Sequence, residues 1–157
     1  MKMRAGQESL MKRRMISFII LFLIALVALL VFVGLYIDEA RRTQETYYIQ
    51  YTSNLSHVSE DIGSYLDAEG DKDFRYVRII SDMSSANSFA FLLDRLNEDK
   101  KKSINELNAC VMRYPEQMQT QDRLTEFKKA VDDILAELDQ GYDEVQALVD
   151  SVDKQGH

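Results

Sequence analysis

Residues 15–37, MISFIILFLIALVALLVFVGLYI, contain no charged side chain. As a helix rising about 1.5 Å per residue this stretch is about 35 Å long, enough to cross the roughly 30 Å hydrocarbon core of a bilayer with some tilt. The chain is therefore expected to be a membrane protein with one span. A cleaved signal peptide would have an apolar region of roughly 7–15 residues and a small-x-small cleavage site. Here the run is longer and ends Phe32-Val33-Gly34-Leu35-Tyr36-Ile37 without an Ala-x-Ala, so an uncleaved anchor is expected. Ser17, Ala25, Ala28 and Gly34 give no GxxxG-type face for pairing within the bilayer.

Charge sets the expected direction. Lys2, Arg4, Lys12, Arg13 and Arg14 precede the span against one acid, Glu8, whereas Arg41 and Arg42 are the only bases following it before Lys72. The excess of bases places the N-terminus in the cytoplasm. The expected organisation is a basic cytoplasmic tail over 1–14, a signal-anchor span over 15–37 and an extracytoplasmic part over 38–157. Of the 26 acids, 25 lie after residue 37, against 14 of the 19 bases. A part that acidic repels phosphate backbones, which excludes nucleic acid as a partner. The single cysteine, Cys110, permits no disulfide within the chain, so an apolar core must hold the fold.

That core is legible as an apolar residue recurring in steps of three and four. Tyr48, Tyr51, Leu55, Val58, Ile62 and Tyr65 form one such series, and Tyr76, Ile79, Met83, Ala86, Ala90 and Leu93 a second. Ile104, Leu107, Val111 and Tyr114 form a third. Leu124, Phe127, Val131, Ile134, Leu138, Gly141, Val145, Leu148 and Val152 form the last. Such spacing is the seam of helices that pack on one another. With one proline, six glycines and no alternating apolar runs, the chain is expected to be all-α. Breaks are expected at 67–73, with Gly70 as a C-terminal cap and Asp71 or Asp73 as an N-cap, near 97–102, and at Pro115. The span thus continues into an antiparallel bundle outside the cytoplasm, with four helices over about 38–66, 73–96, 102–114 and 117–153. A three-helix form with a tilted second helix is the alternative.

No motif names a reaction, and the chain is not expected to be an enzyme. It has no Gly-x-Ser-x-Gly, no glycine-rich phosphate loop, and no histidine near Cys110. His57, Glu60 and Asp61 share a helical face but make a poor closed metal site, and His157 is the terminal residue. The acidic series Asp67, Glu69, Asp71 and Asp73 lacks the glycine and closing glutamate of a calcium loop. Asn54-Leu55-Ser56 is a formal glycosylation sequon expected to lie on a helix. No metal and no cofactor is therefore expected.

Two features depart from a plain packed core. Residues 84–88, Ser-Ser-Ala-Asn-Ser, are small and polar, so Ser84, Ser85, Asn87 and Ser88 are candidates for a ligand pocket between helices. Nearby Arg75, Arg78 and Arg95 would suit an anionic ligand. Tyr47, Tyr48 and Tyr51 cluster close to the span and are candidates for a partner surface.

The layout over about 15–153 resembles the periplasmic four-helix sensory half of bacterial chemoreceptors and some sensor kinases. The likeness is architectural and rests on no motif. Those receptors return through the membrane to a signalling module, and this sequence holds no second span, so a sensor of this kind would report through another membrane protein. The layout also resembles single-span envelope proteins with an outer coiled coil, such as cell-division scaffolds. The leading expectation is a membrane-anchored interaction module, an accessory, regulatory or scaffold subunit that binds a membrane or envelope protein or a second copy of itself. A ligand-sensing bundle is the alternative.

Overall fold

The computed structural model describes residues 3–67 and 70–154, with side chains from residue 11 onward. Among the described residues there are helices and connecting turns and no strand. The chain divides into two compact units, Met1–Thr43 and Gln44–His157. Helix α1, Met3–Asp67, supplies all the regular structure of the first unit and the opening helix of the second.

Within the first unit the apolar stretch is exposed on every side, with Phe18, Leu21, Phe32 and Leu35 among the open side chains. Its most apolar window has mean hydropathy 3.4 and none of it is buried. A helix that is apolar all round needs either a protein core or lipid around it. Here no protein core covers it, and it is long and apolar enough to cross a membrane.

The second unit is built from the remainder of α1, then α2 (Lys72–Leu92), α3 (Glu98–Arg113), the single turn α4 (Pro115–Met118), α5 (Gln121–Ala136) and α6 (Tyr142–Ser151). Specific contacts fix the directions. Gln44 donates to the Leu92 carbonyl at 3.0 Å while Tyr65 meets Tyr76 edge-on, so α2 runs back along α1. The Tyr76 hydroxyl donates to the Val111 carbonyl at 2.9 Å and Asn87 donates to Asn105, so α3 reverses again. Ser59 on α1 donates to Asp132 at 2.5 Å, and Lys128 lies over Gly63, so α5 is antiparallel to α1.

The seams read from the sequence form the core, with their members Tyr48, Tyr114 and Leu138 half-buried at its edge. Tyr51, Leu55, Val58 and Ile62 on α1 meet Ile79, Met83, Ala86 and Ala90 on α2, and all eight are fully buried. Ile104, Leu107 and Val111 enter from α3, and Leu124, Phe127, Val131, Val145 and Leu148 from α5 and α6. Burying a Leu, Ile, Val or Phe side chain contributes about 1.5–3 kcal/mol each, so this single cluster carries the stability of a unit without disulfides.

The helix ends differ from expectation in three places. The second break lies over 93–97 rather than 97–102: Leu93 and Leu96 anchor the turn in the core, and Asn97 caps α3 by accepting from the Lys100 amide at 2.9 Å. The Lys100-Lys101-Lys102 run therefore lies inside α3. At the start of α2, Asp71 occupies the N-cap in the left-handed region (φ 54°), but its carboxylate makes no capping bond. Of the acidic loop, Ala68 and Glu69 lie outside the described residues.

The third difference is the largest. The segment over 117–153 is not one helix: after α4 and α5 the chain turns over 137–141 and returns as α6. Arg123, near the start of α5, donates to the carbonyl of Ser151 at the end of α6 at 2.8 Å, so the two are antiparallel. Gly141 makes the turn possible. Its φ is +84°, and a Cβ there would lie 2.5 Å from the Ala130 carbonyl oxygen and 2.8 Å from Ile134 Cγ1. An unbroken helix and a tight hairpin on the same core produce the same three–four spacing, so periodicity alone does not separate them.

Candidate interaction surface

Helix α2 has two unlike faces. Tyr76, Ile79, Met83, Ala86 and Ala90 point into the core. On the opposite side Phe74, Val77, Ser81, Ser84, Ser88 and Phe91 repeat the same three–four step, all exposed except Ser84, which is half-buried against α3. Phe74 is 67% exposed, Val77 59% and Phe91 51%, and Leu92 and Met112 are open beside them. Met112 joins the stripe from α3, its sulfur 3.8 Å from the Ser84 hydroxyl.

Solvation chemistry distinguishes this face from the rest of the unit. Between Arg78 and Asp94 the only charged residue on α2 is Asp82, which is half-buried. The middle of the outer face is therefore free of charge in a chain that is 29% Asp, Glu, Lys and Arg. Nor do the hydroxyls of Ser84, Ser85 and Ser88 call for a partner. Ser85 donates to the Ser81 carbonyl at 3.0 Å, Ser88 to the Ser84 carbonyl at 2.9 Å, and Ser84 to Asn108 Oδ1 at 3.1 Å. With the Ser85 and Ser88 hydroxyls turned in on the helix and that of Ser84 on α3, these serines present small, largely apolar surface.

The residues singled out from sequence fall into place as follows. Ser84, Ser85 and Asn87 are half-buried and Ser88 exposed, on the outer and α3-facing sides of α2. Asn87 donates to Asn105, and its own Oδ1 is buried without a partner. Tyr51 is fully buried, its hydroxyl 3.2 Å from that of Tyr142, so it belongs to the core and offers no surface in the folded unit. Burial pushes the Tyr142 phenol up to about 12 and that of Tyr51 well above its ordinary value. Tyr47 packs on Phe89, and Tyr48 lies under the Arg95 guanidinium, 5.1 Å away. Both are half-buried.

Three polar clusters lie elsewhere among the described residues. Asp61, 4% exposed, receives Arg78 at 2.8 Å, but its Oδ2 is unpartnered. Burial raises its pKa, Arg78 works against that shift, and the neighbouring Asp82 adds to it. Ser59, Lys128 and Asp132 form a closed triad in which burial alone would raise the aspartate, but bonds from Lys128 and Ser59 outweigh it and hold the carboxyl low. A half-open polar cleft of about 580 Å³ lies where α3 and α6 begin, with Lys100 paired to Asp139 beside the Tyr142 ring.

Among the described residues no group of histidine, cysteine and carboxylate side chains could hold a metal, and His57 is exposed. Cys110 is a buried thiol, its pKa raised chiefly by that burial, which suits packing rather than nucleophilic chemistry. The sequon residue Asn54 donates to the Gln50 carbonyl within α1. His157 lies outside the described residues.

Compared with protein-family models, with curated proteins and with solved structures, the chain matches none. The exposed stripe is the surface feature that the core seams concealed. Its signal was present as a second three–four series on the same helix, offset from the first.

Proposed function

We propose that this chain is a membrane-anchored helical interaction module, an accessory, regulatory or scaffold subunit of an envelope complex, with α2 as its docking helix. The uncharged outer face of α2 carries the reading. Isolated exposed apolar residues are ordinary, but Phe74, Val77, Phe91, Leu92 and Met112 lie along one stripe. Small residues in its middle let another helix approach closely, and aromatic ends supply the anchors typical of interface centres.

The anchor and its direction belong to the same proposal. The apolar part of α1 supports a single span. The five bases before it support a cytoplasmic N-terminus, which leaves α2–α6 on the outer side as an antiparallel bundle. The ligand-sensing alternative receives less support, because the hydroxyls of Ser84, Ser85 and Ser88 all bond within the protein.

Site-specific photo-cross-linking tests the module directly. A photoreactive residue at Val77 or Phe91 of the full-length protein in its native membrane is expected to yield one dominant protein adduct. The same probe at Thr125, exposed on α5, is expected to yield none. Equal labelling at both places, or none at either, would remove α2 as a docking helix.

A further inference from the structure

We infer that the occupant of the α2 face is a second copy of this chain, paired parallel and in register about a two-fold axis along the membrane normal. This deepens the interaction-module reading and rests on it and on its anchor. Two copies anchored in the same direction are related by rotation about that normal. Because α2 runs antiparallel to α1, the helix that carries the apolar stretch, the two α2 helices of such a pair run parallel. The pattern of α2 fits this arrangement as a helix with two complete heptad seams. With Phe74 at position a, the outer residues Phe74, Val77, Ser81, Ser84, Ser88 and Phe91 fall at a, d, a, d, a and d. Tyr76, Ile79, Met83, Ala86 and Ala90 fall at c and f, and these are the residues that face the core. In a parallel pair each outer residue meets its own counterpart. Aromatic rings meet at both ends, and Ser81 and Ser88 let the helices approach between them.

Charge complementarity favours the second copy as occupant. In a parallel pair a residue at g lies beside the e residue of the partner's next heptad. Asp73 at g thus meets Arg78 at e of the second copy, and symmetry repeats the contact. Arg78 holds Asp61 at 2.8 Å through one nitrogen, yet its side chain stays 54% exposed and its guanidinium has further donors to offer. The other g–e pairs, Ile80 with Ser85 and Asn87 with Leu92, bring no like charges together. Elsewhere two copies of so acidic a unit repel one another, since 25 acids stand against 14 bases after residue 37. Size is also adequate. The five exposed apolar side chains leave on the order of 500 Å² of apolar surface, and the serines and flanking stems bring the patch toward the roughly 800 Å² per partner of a standard interface. The seam from Phe74 to Phe91 is about 25 Å long at about 1.5 Å per residue. The Ser85 and Ser88 hydroxyls are already bonded to their own helix, so burying them strands no donor.

Cysteine cross-linking of the full-length protein in membranes under mild oxidation tests the pair, since the native Cys110 is buried and does not compete. Ser81→Cys and Ser88→Cys are nearly isosteric changes at exposed positions. Each variant alone is expected to give a disulfide-linked dimer, because like positions face one another along the whole seam. Thr125→Cys, exposed on α5, is expected to give none. Adding Ser81→Glu to Ser88→Cys opposes two carboxylates within the seam and is expected to lower the linked fraction by at least about tenfold. Adding Thr125→Glu to Ser88→Cys is expected to leave the linked fraction unchanged.

Linkage at one of Ser81→Cys and Ser88→Cys but not the other would overturn the parallel, in-register arrangement. Equal linkage of Thr125→Cys would reveal random collision within the membrane and overturn the pair. Absence of any linked dimer, with capture of a different protein by the probe at Val77, would overturn the second copy and leave the docking helix standing. Absence of both would remove the two proposals together.

Discussion

Replacing Gly141 by alanine separates the hairpin of α5 and α6 from the single helix that the sequence pattern suggests, because the two predict opposite signs. In a continuous helix the added methyl would stabilise by about 0.8–1 kcal/mol, the intrinsic advantage of alanine over glycine. In the structure the residue has φ +84°, and its new Cβ would lie 2.5 Å from the Ala130 carbonyl oxygen. Left-handed backbone costs a non-glycine residue about 1–2 kcal/mol. Forcing a methyl against backbone in a packed site costs about 1–3 kcal/mol more. The expected loss is therefore about 2–5 kcal/mol. For a folding unit of this size, where 1 kcal/mol moves the melting temperature by about 3–5 °C, the midpoint should fall by about 6–25 °C. Gly63→Ala is the internal control. Gly63 sits within α1, and the nearest atom to its new Cβ is Lys128 Cε at 3.8 Å, the end of a flexible side chain. That substitution is expected to raise stability by up to about 1 kcal/mol. Both are measured by thermal and urea melts of the full-length protein, followed by circular dichroism at 222 nm. A Gly141→Ala protein as stable as Gly63→Ala would refute the hairpin and restore one helix through 137–141.

Three further outcomes are expected. Asp61→Asn should stabilise the fold at pH 7, because the amide can donate to Asp82 while removing a buried charge with an unpartnered oxygen. The pH dependence follows from the raised folded pKa: the charged aspartate penalises the native state at neutral pH, and that penalty disappears as pH falls through the folded value toward 3.8. Wild type should therefore gain stability relative to Asp61→Asn over that interval, and parallel melting curves across it would contradict the assignment. Phe127→Ala, which empties a fully buried site, should cost about 3–5 kcal/mol in urea unfolding, and a loss below 1 kcal/mol would deny it a place in the core. Tyr51→Phe or Tyr142→Phe alone leaves one buried hydroxyl without its partner and should cost about 1–3 kcal/mol. The double variant should cost less than the sum, giving a measurable coupling in a double-mutant cycle.

The sequence by itself determined that the chain is helical, that one stretch is long and apolar enough to span a bilayer, and which side of each helix is buried. Those properties are local or periodic. Charge-free length identifies the span, and a residue repeating every three or four positions must lie on one side of its helix wherever that helix packs. Tyr51, Leu55, Val58 and Ile62 were assignable to the core on this ground alone, and the structure buries all four. The same periodicity could not say whether Leu138 and Val145 belong to one helix or two, since a turn that keeps both seams on a common core preserves the spacing. The turn over 137–141, the bond from Arg123 to Ser151 and the approach of Gly141 to Ala130 decided it. Residues 84–88 looked like a pocket because small polar side chains leave space in one dimension. In three dimensions the hydroxyls of Ser84, Ser85 and Ser88 bond to α2 itself and to α3, Ala86 enters the core, and Ser88 alone is exposed. That the second series on α2 stays uncovered depends on where α1 and α3 lie, and that is a property of the packed unit rather than of the helix.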